Sequence, residues 1–129
     1  EVIVTAMAPP GVEVGVGAII DPSFGPVVVI SAGGTLIEIL DDKVAALAPI
    51  SPDDAREMLD ELRIARLLAG ARGRAPSDIA AIAEAISRFS VLIASLADVL
   101  SEVDVNPVIA SPTGAFAADA LVIANKGGS

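Results

Sequence analysis

A chain of 129 residues can form one domain with one modest core, and a composition 53% hydrophobic but only 2% aromatic means building that core from Ala, Val, Ile and Leu, helix against sheet. With no cysteine and no histidine, the chain has no disulfide, no thiolate or imidazole metal site, no Cys or Ser–His nucleophile and no phosphohistidine. A net charge of −9 argues against nucleic acid as a partner, because phosphate backbones demand clustered Lys and Arg.

Solubility is the plain explanation of the acidity. A magnesium nucleotide stays open all the same, since the cation can join acidic side chains to phosphates. Apolar runs stop well short of the roughly 18 residues a membrane span needs, and no basic start precedes an apolar stretch as in a signal peptide. The expectation is no membrane partner and a reducing, cytoplasmic setting.

In chain order, the first third reads as β. Residues 2–6 form a predicted strand, and the sequence begins almost inside it, which points to a piece of a longer polypeptide. Ala8-Pro9-Pro10-Gly11 is a turn, and residues 12–20 are a second strand. Asp21-Pro22-Ser23-Phe24-Gly25-Pro26 is a tight connection to a third strand at 27–31. Gly33-Gly34 breaks that strand, and a fourth follows at 36–40.

The middle is helical. Ser51 is a good N-cap, Pro52 suits the first helical position and Asp54 completes a capping-box-like pattern. Ala55, Met58, Leu59 and Leu62 make one helical stripe, and Gly70 ends the turn that follows. A second helix starts near Ser77-Asp78, with Ile79, Ile82, Ala83, Ile86, Ser90 and Ile93 on its buried face. Both read as structural cover for the sheet. The end is a hairpin, 103–110 and 115–123, joined by Ser111-Pro112-Thr113-Gly114. Residues 1–124 are thus one unit, and 125–129 a flexible or added tail.

That hairpin carries the most informative pattern. With a loop of 111–114, Ala110 faces Ala115 and Asn106 faces Asp119. Opposed residues of an antiparallel pair have Cβ atoms roughly 4.5–5.5 Å apart. Asp104 shares the face of Asn106, while Val103 and Val105 point the other way. Two carboxylates and an amide oxygen suit a hard cation such as Mg²⁺, which is held by one or two carboxylates plus phosphates and water. The plainer alternative is a hydrogen bond between Asn106 and Asp119 near the sheet edge. In the strand 12–20, Glu13, Gly15, Gly17 and Ile19 share one face. Glycines beside a carboxylate leave room for a ligand, or else mark a β-bulge or a close strand crossing. Glu38, between Leu36 and Leu40 on its own face, points to a ligand or a charge partner.

Taken together, the motifs form an ordered set. They are Gly11-Val12-Glu13-Val14, Asp21-Pro22-Ser23-Phe24-Gly25-Pro26-Val27-Val28, Gly33-Gly34 with Glu38, and Leu47-Ala48-Pro49-Ile50. Gly70-Ala71-Arg72-Gly73, Glu102-Val103-Asp104-Val105-Asn106-Pro107 and Ala118-Asp119-Ala120 complete it. Over nearly the whole chain this resembles the C-terminal half of the ATP-grasp domain of NDP-forming acyl-CoA synthetases. That group includes ADP-forming acetyl-CoA synthetase and is related to the succinyl-CoA synthetase β subunit.

The resemblance implies an α+β subdomain, a mostly antiparallel sheet with helices packed on one face. It implies Mg²⁺ and ATP or ADP as cofactors, with Asn106 and Asp119 holding the metal on the nucleotide phosphates. Thr5, Ala6 and Met7 would lie against the adenine, Glu13 would meet the ribose hydroxyls and Glu38 would sit near the phosphates. Arg72 matches a family arginine without an assigned role. The implied partners are the remaining domains of the parent synthetase: the N-terminal grasp half and the CoA-binding parts. The parent reaction interconverts acyl-CoA, ADP and phosphate with free acid, CoA and ATP, and the piece alone is expected to be inactive. An apolar sheet face left bare would let it self-associate as a homo-oligomer. The chain departs from the family pattern at Ser31-Ala32, where Gly-Leu is usual, and at Ala46, where arginine is frequent. Gly15 replaces a branched apolar residue, and Thr5 a Gln or Glu. These departures leave a rival reading open: a non-catalytic, degenerate module kept for subunit or domain contact.

Overall fold

The computed structural model describes residues 11–33, 42–70, 76–117 and 120–124. The predicted strands at 2–6 and 36–40 lie outside them. Strand β1 (Val12–Asp21) keeps the alternation of its sequence. Val12, Val14, Val16 and Ala18 are buried, whereas Glu13 and Ile19 are exposed. The Asp21 carboxylate closes the turn into β2 (Gly25–Ala32) by accepting from the backbone N–H of Ser23 at 2.7 Å and of Phe24 at 3.0 Å. Gly25, at φ +84°, supplies the left-handed residue that ends the turn. The hairpin runs antiparallel from Asp21↔Gly25 to Val14↔Ala32.

β3 (Lys43–Leu47) pairs antiparallel with β2 and is absent from the sequence reading. Lys-Val-Ala-Ala-Leu has little strand preference of its own; the pairing with β2 makes it a strand. The helices follow as read. In α1 (Pro52–Glu61), Ser51 Oγ accepts from Asp54 N–H at 3.1 Å, and Ala55, Met58 and Leu59 are buried. A short α2 (Ala65–Leu68) comes next. In α3 (Ile79–Ser95), the Asp78 carboxylate accepts from Ala81 N–H at 3.0 Å.

Ser90, the polar member of the predicted stripe, and the neighbouring buried Ser87 have a structural task. Ser90 Oγ accepts from the backbone N–H of Ile50 at 2.8 Å, and Ser87 Oγ donates to the Ile50 carbonyl at 2.7 Å. The segment leaving β3 is thereby fastened to the helix with its buried backbone groups paired.

The predicted C-terminal hairpin is found with two corrections. Its first strand, β4, is longer, Leu100–Ser111, and Ser111 pairs with Gly114, so the turn is two residues rather than four. The second strand is described as two pieces, β5 (Gly114–Ala117) and β6 (Ala120–Ala124). The predicted pairing of Ala110 with Ala115 is present.

The sheet order is β3-β2-β1-β4-β5, with β6 also on β4, and every described pairing is antiparallel. The described helices pack on one face. Their Ala55, Leu59, Ile82 and Ile86 join Val14, Val28, Ile30 and Ala110 of the sheet in one buried cluster. This is the expected α+β architecture. The other face carries Ile19, Leu47, Leu121 and Ile123 as exposed apolar side chains. No helix among the described residues is long and apolar enough to cross a membrane.

Candidate functional site

On the face away from the helices, strand pairing aligns polar residues in a row. Lys43 pairs with Ser31, and Ser31 with Gly15. β1 meets β4 as Val14↔Val108 and then as Val16↔Val105. Gly15 therefore stands opposite two residues, Asn106 and Pro107, in a β-bulge. Of the two explanations for a glycine here, ligand room or a bulge, the bulge is observed. It also turns the Asn106 side chain toward Gly15.

The glycines are bounded closely. A Cβ on Gly15 would lie 2.6 Å from Ser31 Oγ, 3.7 Å from Asn106 Cγ and 3.8 Å from Asn106 Nδ2. A Cβ on Gly17 would lie 3.4 Å from Asp104 Oδ1. Asp104 and Asn106 do share one face, as the alternation predicts, while Val103 and Val105 turn to the core. Glu13 is exposed, two residues before Gly15 on the same side of β1. Its backbone is gripped by Gly33, whose N–H donates to the Glu13 carbonyl at 2.8 Å. A Cβ on Gly33 would come within 2.8 Å of the Glu13 carbonyl carbon, so the two strands touch backbone to backbone there.

The strip carries carboxylate and carboxamide oxygens, which suit a hard divalent cation, and hydroxyl O–H and carboxamide N–H groups, which can donate to phosphate oxygens. The missing side chain at Gly15 lets the Ser31 hydroxyl and the Asn106 carboxamide approach each other over the strand. The residues present fit a magnesium nucleotide. Among the described residues alone, no three acidic side chains cluster into a metal site. Of the candidate residues, Glu13 and Asn106 are brought to the strip. Thr5, Ala6, Met7, Glu38, Asp119 and Arg72 lie outside the described residues.

Two residues escaped notice as site or support. Ser31 registers opposite Gly15, which counting back from the Asp21–Gly25 turn would have revealed. Asp42, buried at 5% exposure, accepts from the backbone N–H of Arg63 at 2.7 Å and of Ile64 at 3.0 Å. An apolar cleft of about 240 Å³ opens on the helix side between α3 and the sheet, lined by Val16, Ile86, Phe89, Val105 and Val108. Its lining residues are all apolar, and it faces away from the strip.

A family model for the ATP-grasp domain matches residues 1–123. The β subunit of ADP-forming acetate–CoA ligase I of Pyrococcus furiosus is 43% identical over 122 residues, 95% of this chain and 52% of that protein. The 4-hydroxybutyrate–CoA ligase (ADP-forming) of Nitrosopumilus maritimus is 35% identical over 88% of this chain and 16% of its own length. Among solved structures, an acetyl-coenzyme A synthetase of Ca. Korarchaeum cryptofilum, in complex with coenzyme A and Mg-AMPPCP, superposes with a TM-score of 0.85. The two are 42% identical over 92% of this chain and 55% of that one. The chain spans about half the length of the acetate–CoA ligase β subunit it matches. The antiparallel sheet with its helical cover and the matched sequence agree: this chain belongs to the ATP-grasp domain family and is homologous to the β subunits of ADP-forming acetate–CoA ligases.

Proposed function

We propose that this chain is the C-terminal half of the ATP-grasp domain of an ADP-forming acyl-CoA synthetase, and that it holds Mg-ATP or Mg-ADP against the helix-free face of its sheet. Residues 1–124 are the subdomain, and 125–129 a tail. The observation that carries the reading is the Gly15–Gly17 strip bordered by Ser31, Asp104 and Asn106. Asn106 and Asp119 are the proposed metal ligands. One register on both sides supports them, since Val108↔Ala117 and Val105↔Ala120 are the same pairing continued past residues 106 and 119. Glu13 is assigned to the ribose hydroxyls, Thr5, Ala6 and Met7 to the adenine, and Glu38 to the phosphate end.

Bound Mg²⁺ supplies charge neutralisation on the phosphates. The chain's own part is to orient the nucleotide and keep its oxygens among fixed donors, the positioning and electrostatic work on which phosphoryl transfer depends. The parent reaction interconverts acyl-CoA, ADP and phosphate with acid, CoA and ATP. The remaining grasp half and the CoA-binding domains are its necessary partners, and the chain alone has no synthetase activity.

The rival reading, a degenerate module kept for contact, draws on the departures at Ser31, Ala32 and Ala46. Ala32 is fully buried and Ala46 packs against the same core, both on the helix side. Only Ser31 bears on the strip. Titration of Mg-ADP into the chain and into Asp119→Ala decides the matter. The expected result is magnesium-dependent binding, weakened at least about tenfold by the substitution, as for loss of a charged ligand. No nucleotide binding by the unaltered chain overturns the function; equal binding by both overturns the metal assignment.

A further inference from the structure

The hydroxyl of Ser31 is a polar group of this site with no role assigned above. Ser31 is 8% exposed and sits on the helix-free face of β2, directly across from Gly15. Its Oγ and the Asn106 carboxamide both lie within 4 Å of one point, the place a Cβ on residue 15 would occupy. That geometry has two consequences. The hydroxyl and the carboxamide stand side by side over Gly15. And the hydroxyl keeps this position only because residue 15 has no side chain, since at 2.6 Å a Cβ there would drive Oγ away.

We infer that Ser31 and Gly15 act as a matched pair that points a hydroxyl donor at a phosphate oxygen of the bound nucleotide, beside Asn106. The inference rests on the nucleotide reading of this face and adds a binding residue to it. The chemistry is directional. Asn106 can give its amide oxygen to the metal, and Asp104 and Glu13 bring only acceptors and negative charge. A phosphate oxygen needs a donor that adds no further negative charge, and a serine hydroxyl is one. A hydrogen bond to a charged acceptor is worth more than a neutral one, so its loss is visible in binding.

The test is a double-mutant cycle in this chain, read as the dissociation constant for Mg-ADP together with the melting temperature of the ligand-free protein. Ser31→Ala is expected to weaken Mg-ADP about tenfold, as for one charge-assisted hydrogen bond, while the melting temperature stays nearly unchanged. Gly15→Ala, which displaces the hydroxyl, is expected to weaken binding by a similar factor. In the Ser31→Ala background, Gly15→Ala is expected to cost little more. Wild-type affinity in Ser31→Ala, with Asp119→Ala still impaired, would overturn the role of Ser31 and leave the nucleotide reading standing. Equal losses from Gly15→Ala in both backgrounds would overturn the pairing. Absence of Mg-ADP binding in the unaltered chain would overturn the nucleotide reading and this inference together.

Discussion

The carboxylate of Asp42, just before β3, accepts a hydrogen bond from the backbone N–H of Ile64 at 3.0 Å, across 22 residues of chain. The second carboxylate oxygen takes the N–H of Arg63 at 2.7 Å. The side chain is buried, so both donors lose their partner if it is removed. Asp42→Ala is therefore expected to lower the unfolding free energy by about 2–4 kcal/mol, the cost of leaving buried donors unsatisfied. Asp42→Asn keeps one acceptor oxygen and should lose less. Urea denaturation of the three proteins checks the order.

Ser90 and Ser87 act jointly on Ile50. Ser90→Ala leaves the Ile50 N–H without its acceptor and should cost about 1–3 kcal/mol. Ser87→Ala removes the 2.7 Å donor to the Ile50 carbonyl and should cost about 1–2 kcal/mol, since the single hydrogen of the Ser90 hydroxyl goes to the Ser87 carbonyl at 2.6 Å. The double variant is expected to be non-additive, as for groups that share a partner. Thermal unfolding of the four proteins measures the coupling.

Gly33→Ala tests the backbone contact beneath Glu13. The added methyl would meet the Glu13 carbonyl oxygen at 3.0 Å as well as its carbonyl carbon. Strand separation of this kind is expected to cost about 1–3 kcal/mol and to weaken Mg-ADP binding, because it moves Glu13. Gly25→Ala is the control. Nothing lies within 4 Å of a Cβ there, and the only penalty is its φ of +84°, about 1 kcal/mol or a little more, with nucleotide binding unchanged. Denaturation and nucleotide titration on both variants separate the two effects.

Asn106→Ala should weaken Mg-ADP binding about tenfold with a small change in melting temperature, since the side chain is only half-buried. Asn106→Asp retains an oxygen at the same place and should retain magnesium-dependent binding. Titration with and without Mg²⁺ reads the difference.

Much of this arrangement could be read from the sequence wherever a local rule acts alone. Ser51 and Asp78 cap their helices because their side chains satisfy N–H groups that every helix start leaves free. The Ala110–Ala115 register followed from turn length, and survived a turn tighter than expected because both ends close on the same pairs. β3 was invisible because Ala-rich Lys43–Leu47 becomes a strand only beside β2. The bulge at Asn106 was invisible for a related reason: it arises between β1 and β4, strands far apart in sequence, and no short-range pattern marks it. Asp42 was passed over because its partners, Arg63 and Ile64, are backbone groups, which leave no trace in residue types.

The bulge has one more effect, on how the chain tolerates change. Before it, the odd-numbered Val103 and Val105 of β4 face the core; after it, the even-numbered Val108 and Ala110 do. β4 is in effect two half-strands of opposite phase, joined at the residues proposed to bind the nucleotide. Loss of one residue between Val105 and Val108 would restore plain alternation along β4, its valines still inward, and would remove the bulge that sets both Asn106 and Pro107 opposite Gly15. Length at this joint therefore bears on the site more than on the core face of β4, and a variant that kept Asn106 but dropped Pro107 would part the two.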